Sequence, residues 1–492
     1  MKNDAVVVGS GPNGLAAAVT LASHGLGVLV LEAADVPGGG ARTEPLTLPG
    51  YLHDTCSAIH PMGAASPLFR ALPLGRYGLE WLHPPLCLAH PFDDRPAARL
   101  HRSVDVVADD LGPDGDAWRG LIGGLAAGWD DVVSGVLGPP LAANPLGLLP
   151  WARSLLSADV VAREAFSGSQ ARGLFAGLAA HSILPLDRAP SAGVGLALAA
   201  AGHAGGWPLP RGGAGAITTA LVSLLEDLGG RVVTGHRVRS MLDVPPARAT
   251  VFDLTPGPLA RVLGDDAGPS YARALARAPR GPGVFKLDWA LSEPIPWRSS
   301  ACREAGTVHV GGTYEEIAAG ERAVWEEREP GSPFVLVSEP TRFDPTRAPG
   351  GGHVGWAYCH VPNGSPSDWT ARIEAQVERF APGFRDCIAA RSALGPADLE
   401  ARNANLAGGD IGGGAITIPR LLAGSVPRLD PYATPLPHVF VCSSAVPPGG
   451  GVHGMCGFHA ARSVLARRFG RRVHRDPARA LGPRLGTCDE VA

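Results

Sequence analysis

Short apolar runs separated by glycine turns set the pattern of this chain. Ala5-Val6-Val7-Val8 is β-branched throughout, as a buried parallel strand requires. A six-residue turn from Gly9 to Gly14 follows. Leu15 to His24 reads as a helix of small and apolar residues, closed by Gly25. Gly27 to Leu31 reads as a second strand. The spacing of apolar positions predicts an amphipathic helix over 216–228, broken by Gly229-Gly230, then a strand over 231–234. A further short strand is expected to open at Val238 and run towards Met241. Residues 283–291 alternate with period two and predict an exposed-face strand of a mixed sheet. Alanine-rich runs at 174–180 and 192–201 predict helices. Residues 345–366 are rich in glycine and proline and are expected as loops. The chain then returns to a strand at 439–442, a glycine-rich turn, and a helix over about 457–468. No internal repeat is evident.

These elements imply discontinuous domains. Segments 1–75, 206–262 and 425–475 are expected to build a nucleotide-binding domain. Segments 76–205 and 263–424 are expected to build a substrate or cap domain, leaving 476–492 as a basic flexible tail. A chain of 492 residues is long enough for two or three lobes, and its 45% apolar content suits a well-buried protein. The net charge of -3 gives no basic field for nucleic acid, so no nucleic-acid partner is expected. Eight scattered cysteines without a C-x-x-C pair read as reduced thiols, and no metal-ligand set is assigned. The first residues carry no signal-peptide pattern and no apolar run of membrane-spanning length occurs, so a cytoplasmic location is expected. Arg462, Arg467, Arg468, Arg471, Arg472, Arg475, Arg479 and Arg484 crowd the end of the chain. Peripheral contact with anionic lipid is the alternative there to a solvated helix end and tail.

The turn Gly9-Ser10-Gly11-Pro12-Asn13-Gly14 is G-x-G-x-x-G in strand–turn–helix context. Gly9 permits the tight turn, Gly11 lets backbone approach a pyrophosphate, and Gly14 lets helix and strand pack closely. The helix N-terminus offers free N–H groups to the phosphates. Glu32 ends the second strand, where a carboxylate accepts hydrogen bonds from a ribose diol, and its charge disfavours a 2′-phosphate. Ala33 follows it. The cluster Gly38-Gly39-Gly40-Ala41-Arg42-Thr43 lets backbone run against a diphosphate, with Arg42 adding charge.

With these motifs the sequence resembles the phytoene dehydrogenase-like oxidoreductases (phytoene desaturase or carotenoid oxidoreductase type), within the glutathione-reductase/amine-oxidase structural group. The resemblance extends through residues 207–213, Phe285-Lys286-Leu287-Asp288, residues 408–412, and the block Pro447 to Met455. It implies an α/β fold: a Rossmann-like FAD-binding domain with an interleaved α+β substrate domain of mixed sheet and helices. It implies non-covalent FAD, with backbone around Gly451, Val452, His453 and Met455 along the flavin and Val238 at the adenine. Many relatives outside this subgroup place Gly-Asp after the last nucleotide-lobe strand, whereas this chain has Cys442-Ser443-Ser444, so the Ser444 hydroxyl or backbone is the expected substitute. The implied reaction is hydride transfer between flavin N5 and a C–H or C=C carbon of a small apolar polyene or polyketide-type substrate. Desaturation, saturation and reductive cyclisation all fit. A flavin amine oxidase on the same scaffold, and a non-catalytic flavin-binding partner protein, are the alternatives.

Lys286 is the single lysine in the body of the chain, the other being Lys2. By the same resemblance it is the candidate to reach flavin N5 through a water. His453 is the candidate general acid or base. His60 and His459 are weaker candidates, and Asp410 reads as a loop anchor. Cys456 reads as a buried thiol rather than a covalent flavin link. A second G-x-G-x-x-G in the right context is missing, so reoxidation by O2 or a quinone-like acceptor is expected, with NAD(P)H as a reductant that could enter an open site.

Overall fold

The computed structural model describes residues 3–138, 152–482 and 485. One sheet is wholly parallel. Its strands are β1 (Ala5–Val8), β2 (Val28–Leu31), β5 (Arg231–Val233), β6 (Ala249–Phe252) and β12 (Val439–Val441), in the order β12-β6-β1-β2-β5. Four of the five are buried along their whole length, which explains their almost wholly apolar sequences, Thr250 being the one polar residue. The exception is β5, an edge strand with exposed positions. Helices α1 (Pro12–Ser23), α4 (Gly215–Asp227) and α5 (Met455–Phe469) cover this sheet.

The second sheet has seven strands in mixed orientation. They are β3 (Leu86–His90), β4 (Ala98–Leu100), β7 (Gly283–Leu291), β8 (Ala305–Val310), β9 (Val335–Ser338), β10 (His353–Val361) and β11 (Ile388–Leu394), in the order β11-β7-β10-β9-β8-β3-β4. Strands β8 and β3 run parallel; the other neighbours are antiparallel. Leu287, Trp289 and Leu291 face a core that includes Trp297, Trp369 and Phe384. Helices α2 (Ser169–Ala180) and α3 (Ser191–Gly205) pack beside this sheet and extend the main core.

Several elements depart from the sequence reading, each for a local reason. Helix α1 begins at Pro12, three residues early, because proline suits the first helical position, where no N–H is needed. The strand expected from Val238 is instead extended loop. Gly235, at φ +66°, turns the chain, and Ser240 and Asp243 form a capping box that winds 241–243 into a 3-10 turn. The loop expected over 345–366 contains β10, nine residues long and interior to its sheet. Flanking Gly and Pro masked its alternation. Strand β7 is buried at all nine positions rather than exposed on one face. Its even-numbered face carries Lys286 and Asp288, and the segment holding His53 covers it, with His53 Nδ1 3.5 Å from Asp288 Oδ1. In the stretch expected as a flexible tail, Pro477–Ala480 forms a short helix with Ala480 buried, and Gly482 N–H donates to Ser23 Oγ at 3.2 Å. Arg484 lies outside the described residues, but Arg462 and Arg471 are tied down by the backbone carbonyls of Val473 and His24.

Arg347 and Asp54 join the lobes. Both are buried, the guanidinium donates to Asp54 Oδ2 at 3.0 Å, and it also holds the Leu52 carbonyl. Asp54 Oδ1 accepts from Thr43 Oγ1 and Ala214 N–H at 2.8 and 2.7 Å.

Candidate functional site

A cavity of about 1010 Å³ runs between the two sheets. It starts at the C-terminal ends of β1 and β2, where ligands bind in open parallel sheets. Gly9, Gly11, Pro12, Asn13, Glu32, Ala33, Gly39, Gly40, Arg42, Val238, Lys286, Ser444, Gly451, Val452 and His453 all line it. Ser10, Gly14 and Met455 stand behind the wall.

The turn is a cradle that side chains would fill. A Cβ on Gly14 would lie 2.1 Å from Gly9 O, and one on Gly11 would lie 2.7 Å from Asp253 Oδ2. Gly39, at φ +56°, packs against Gly11 Cα. Glu32 Oε2 accepts from Ser10 N–H at 2.9 Å and Ser10 Oγ at 2.6 Å, and Oε1 accepts from Ala34 N–H at 2.9 Å. These bonds fix the carboxylate at the cavity wall.

Asp253 went unnoticed in the sequence, because nothing in its neighbourhood is periodic. It follows β6 and accepts the Gly14 N–H at 3.0 Å. Burial, opposed by that bond and reinforced by the nearby Glu32 charge, pushes its pKa up to about 7. Below about pH 7 a carboxyl that keeps its proton places no charge beside the 9–14 turn. Arg420 also went unnoticed. It holds the carbonyls of Gly412 and Ser444 at 2.6 and 2.9 Å, together with that of Gly414. Asp410 accepts from Gly281 and Gly412 N–H at 2.7 and 2.8 Å, which makes it an anchor of this loop.

The loop before α5 contains Gly449, Gly451 and Gly454 at φ +111°, +127° and +69°, a region L side chains avoid. His453 Nδ1 accepts the Met455 N–H at 3.0 Å, so this ring caps the helix start and leaves Nε2 as its remaining nitrogen. Burial lowers its pKa to about 4, which keeps it neutral. Cys456 is fully buried, hydrogen bonds to the Gly449 carbonyl at 3.2 Å, and has its pKa pushed up to about 12 by burial. His60 lines the cavity, whereas His459 is spent on the Leu137 carbonyl at 2.9 Å.

On the sheet side, Lys286 hydrogen bonds to Asp288, and its cross-strand partner is Tyr358. Trp356 and Tyr358, alternate residues of β10, both line the cavity with ring centroids 5.3 Å apart. Their alternation was the signal that could have found them. Trp356 Nε1 donates to the Cys56 carbonyl at 3.0 Å.

The residues present fit a dinucleotide such as FAD. The glycine cradle excludes side chains, Glu32 stands at the wall, and Asn13 Oδ1 is a buried polar atom with no hydrogen bond of its own, while Arg42 Nε lies 3.5 Å from Glu44 Oε1.

Comparison with known proteins agrees with this geometry. Residues 7–72 match the family model of an NAD(P)-binding Rossmann-like domain. A mouse protein, pyridine nucleotide-disulfide oxidoreductase domain-containing protein 2, is 25% identical, with 94% of this chain and 93% of that protein covered. Hydroxyneurosporene desaturase of Rhodobacter capsulatus is 52% identical over 54 residues, covering 11% of this chain and 10% of the desaturase. Among solved structures, a putrescine oxidase double mutant superposes with a TM-score of 0.62 at 17% identity, covering 96% of this chain and 100% of that one. No helix among the described residues is long and apolar enough to cross a membrane. The chain is an oxidoreductase built on a Rossmann-like domain and a mixed-sheet lobe that share one cavity.

Proposed function

We propose that this chain is an FAD-dependent oxidoreductase that acts at a C–H or C=C carbon of a small, uncharged, apolar substrate. Glu32, the 9–14 turn, Arg42 and Val238 would hold the dinucleotide, and the 449–453 loop would hold its isoalloxazine end. FAD, when bound, supplies the two-electron chemistry. The protein's residues orient the substrate carbon and keep water out.

The observation that carries this reading is the wall contributed by residues 135–198. It includes Val136, Leu155, Ile183, Val194 and Leu198, and no described lining residue in that span bears a carboxylate. A substrate ammonium would have no counter-ion there. The partial similarity to a carotenoid desaturase supports the same class. The Trp356–Tyr358 pair favours a second reading, amine oxidation, because paired aromatic rings accept an ammonium.

The test begins with the absorbance of the purified protein before and after acid precipitation. It continues with anaerobic mixing with trans-chalcone, an apolar enone, and, separately, with putrescine. Flavin released by acid, with a spectral change on adding the enone and none with the diamine, is expected. Bleaching by putrescine alone would transfer the assignment to the second reading. A protein that stays colourless after incubation with FAD would overturn both.

A further inference from the structure

His181 sits at the C-cap of α2 and lines the cavity. Its Nε2 is 3.0 Å from Nε2 of His309 on β8. His309 is fully buried, and its Nδ1 has no partner. The ring fits because Gly177 of α2 faces it: a Cβ there would lie 2.5 Å from His309 Nδ1. The histidines flanking this pair are already committed. His360 Nδ1 engages Glu321 at 2.8 Å, and His90 Nε2 engages the Gly312 carbonyl at 2.7 Å. Beside His181, Trp207 Nε1 donates to Thr307 Oγ1 at 2.9 Å, so that donor is spent too.

One hydrogen joins the two Nε2 atoms, and two arrangements can supply it. If His181 donates, His309 carries its own hydrogen on Nδ1, which buries an N–H with no acceptor. If His309 donates, its Nδ1 is left as a bare lone pair. Orphaned buried N–H groups are the rarer case, which favours the second arrangement. His181 then accepts at Nε2 and carries its hydrogen on Nδ1, the nitrogen left for the cavity. Burial lowers the pKa of both rings, that of His181 to about 3, so the pair stays neutral and the arrangement holds across the working pH range.

The backbone just beyond this donor is strained. Ile183, two residues on, also lines the cavity and holds φ +55°, an outlier for a β-branched residue. Such conformations persist where the surroundings over-determine them, and they cluster at ligand sites.

We propose that the neutral His181–His309 pair donates a hydrogen bond from His181 to a carbonyl oxygen of the substrate, so that the substrate is an apolar ketone or enone rather than a pure hydrocarbon. This rests on the function proposed above and narrows its substrate class. His181 binds the oxygen, and His309 is a positioning residue that sets its tautomer.

The experiment titrates the FAD-loaded protein with trans-chalcone and with trans-stilbene, a hydrocarbon of similar shape. Flavin absorbance reports binding, and infrared difference spectra follow the bound carbonyl stretch. The wild type is expected to bind chalcone at least tenfold more tightly than stilbene and to lower its carbonyl frequency. His181→Phe should abolish both effects while stilbene affinity stays within a few-fold. His181→Gln, which restores a donor, should recover part of each, and His309→Phe should weaken the frequency shift. Equal affinity for the two probes in the wild type, binding of neither, or a preference that survives in His181→Phe would overturn the proposal. A chain that takes up no FAD would instead overturn the function it rests on.

Discussion

Lys286 and Asp288 stand two residues apart on β7, on the same face, and their side chains are hydrogen bonded to each other. The lysine side chain is 3% exposed and the aspartate 0%, so each charge depends on the other. Asp288 Oδ1 in turn lies 3.5 Å from His53 Nδ1, and His53 Nε2 is 2.7 Å from Thr47 Oγ1. The lysine at the cavity is therefore held by a buried polar chain running away from it.

Removing one member of such a pair strands the other. Asp288→Leu should destabilise the holoprotein by about 3–5 kcal/mol, whereas Lys286→Met with Asp288→Leu should cost clearly less than the two single changes summed. Urea midpoints of the four proteins would decide it. Additive losses would mean the two charges do not depend on each other.

Asp253 predicts a pH dependence. Its folded pKa is raised to about 7, against roughly 3.9 for an unfolded aspartate. Between about pH 4 and pH 7 the native state keeps a proton that the unfolded state has released. Native chains bind more protons in that window, so stability falls as pH rises through it. Asp253→Asn keeps an acceptor for Gly14 N–H and removes the titration. The variant should lose less stability than the wild type between pH 5 and pH 7.5, by on the order of 1–3 kcal/mol. Glu339, also raised to about 7 by burial, contributes equally to both proteins. Parallel pH profiles would refute the assignment.

Glu32 is expected to matter for cofactor retention more than for folding. Glu32→Ala should lower FAD affinity by about a hundredfold, near 3 kcal/mol, because a carboxylate's charge-assisted hydrogen bonds are lost. The check is flavin content after gel filtration and titration of the apoprotein. Full retention of FAD would rule out a ribose contact by this residue.

Gly457 marks the closest approach of α5 to α1. A Cβ there would lie 1.9 Å from the Asn13 carbonyl oxygen, which is backbone and has no room to give. Gly457→Ala should therefore destabilise by about 1–3 kcal/mol and loosen the 9–14 turn, despite alanine's higher helix propensity. Thermal melts read the first effect and FAD content the second. A melting temperature at or above that of the wild type would contradict this packing.

The chain announces its nucleotide domain locally. The β1–turn–α1–β2 unit, Glu32 and the glycine loop before α5 are legible because tight turns and close backbone approach demand glycine at fixed offsets. Strand β7 was legible for its alternation, though its burial on both faces was not. What escaped was assembled from distant segments. Asp253 meets Gly14 across 239 residues, and Arg347 reaches Asp54 across 293. Trp356 and Tyr358 were hidden in a stretch whose glycines and prolines suggested loops, until sheet pairing overrode local propensity. The His181–His309 pair depends on α2 lying against β8, with Gly177 making room. Local sequence determines which turns can receive a phosphate, because that requirement acts within a few residues. Which side chains face each other across the cavity is decided by how the two sheets pack, and that depends on contacts no local pattern encodes.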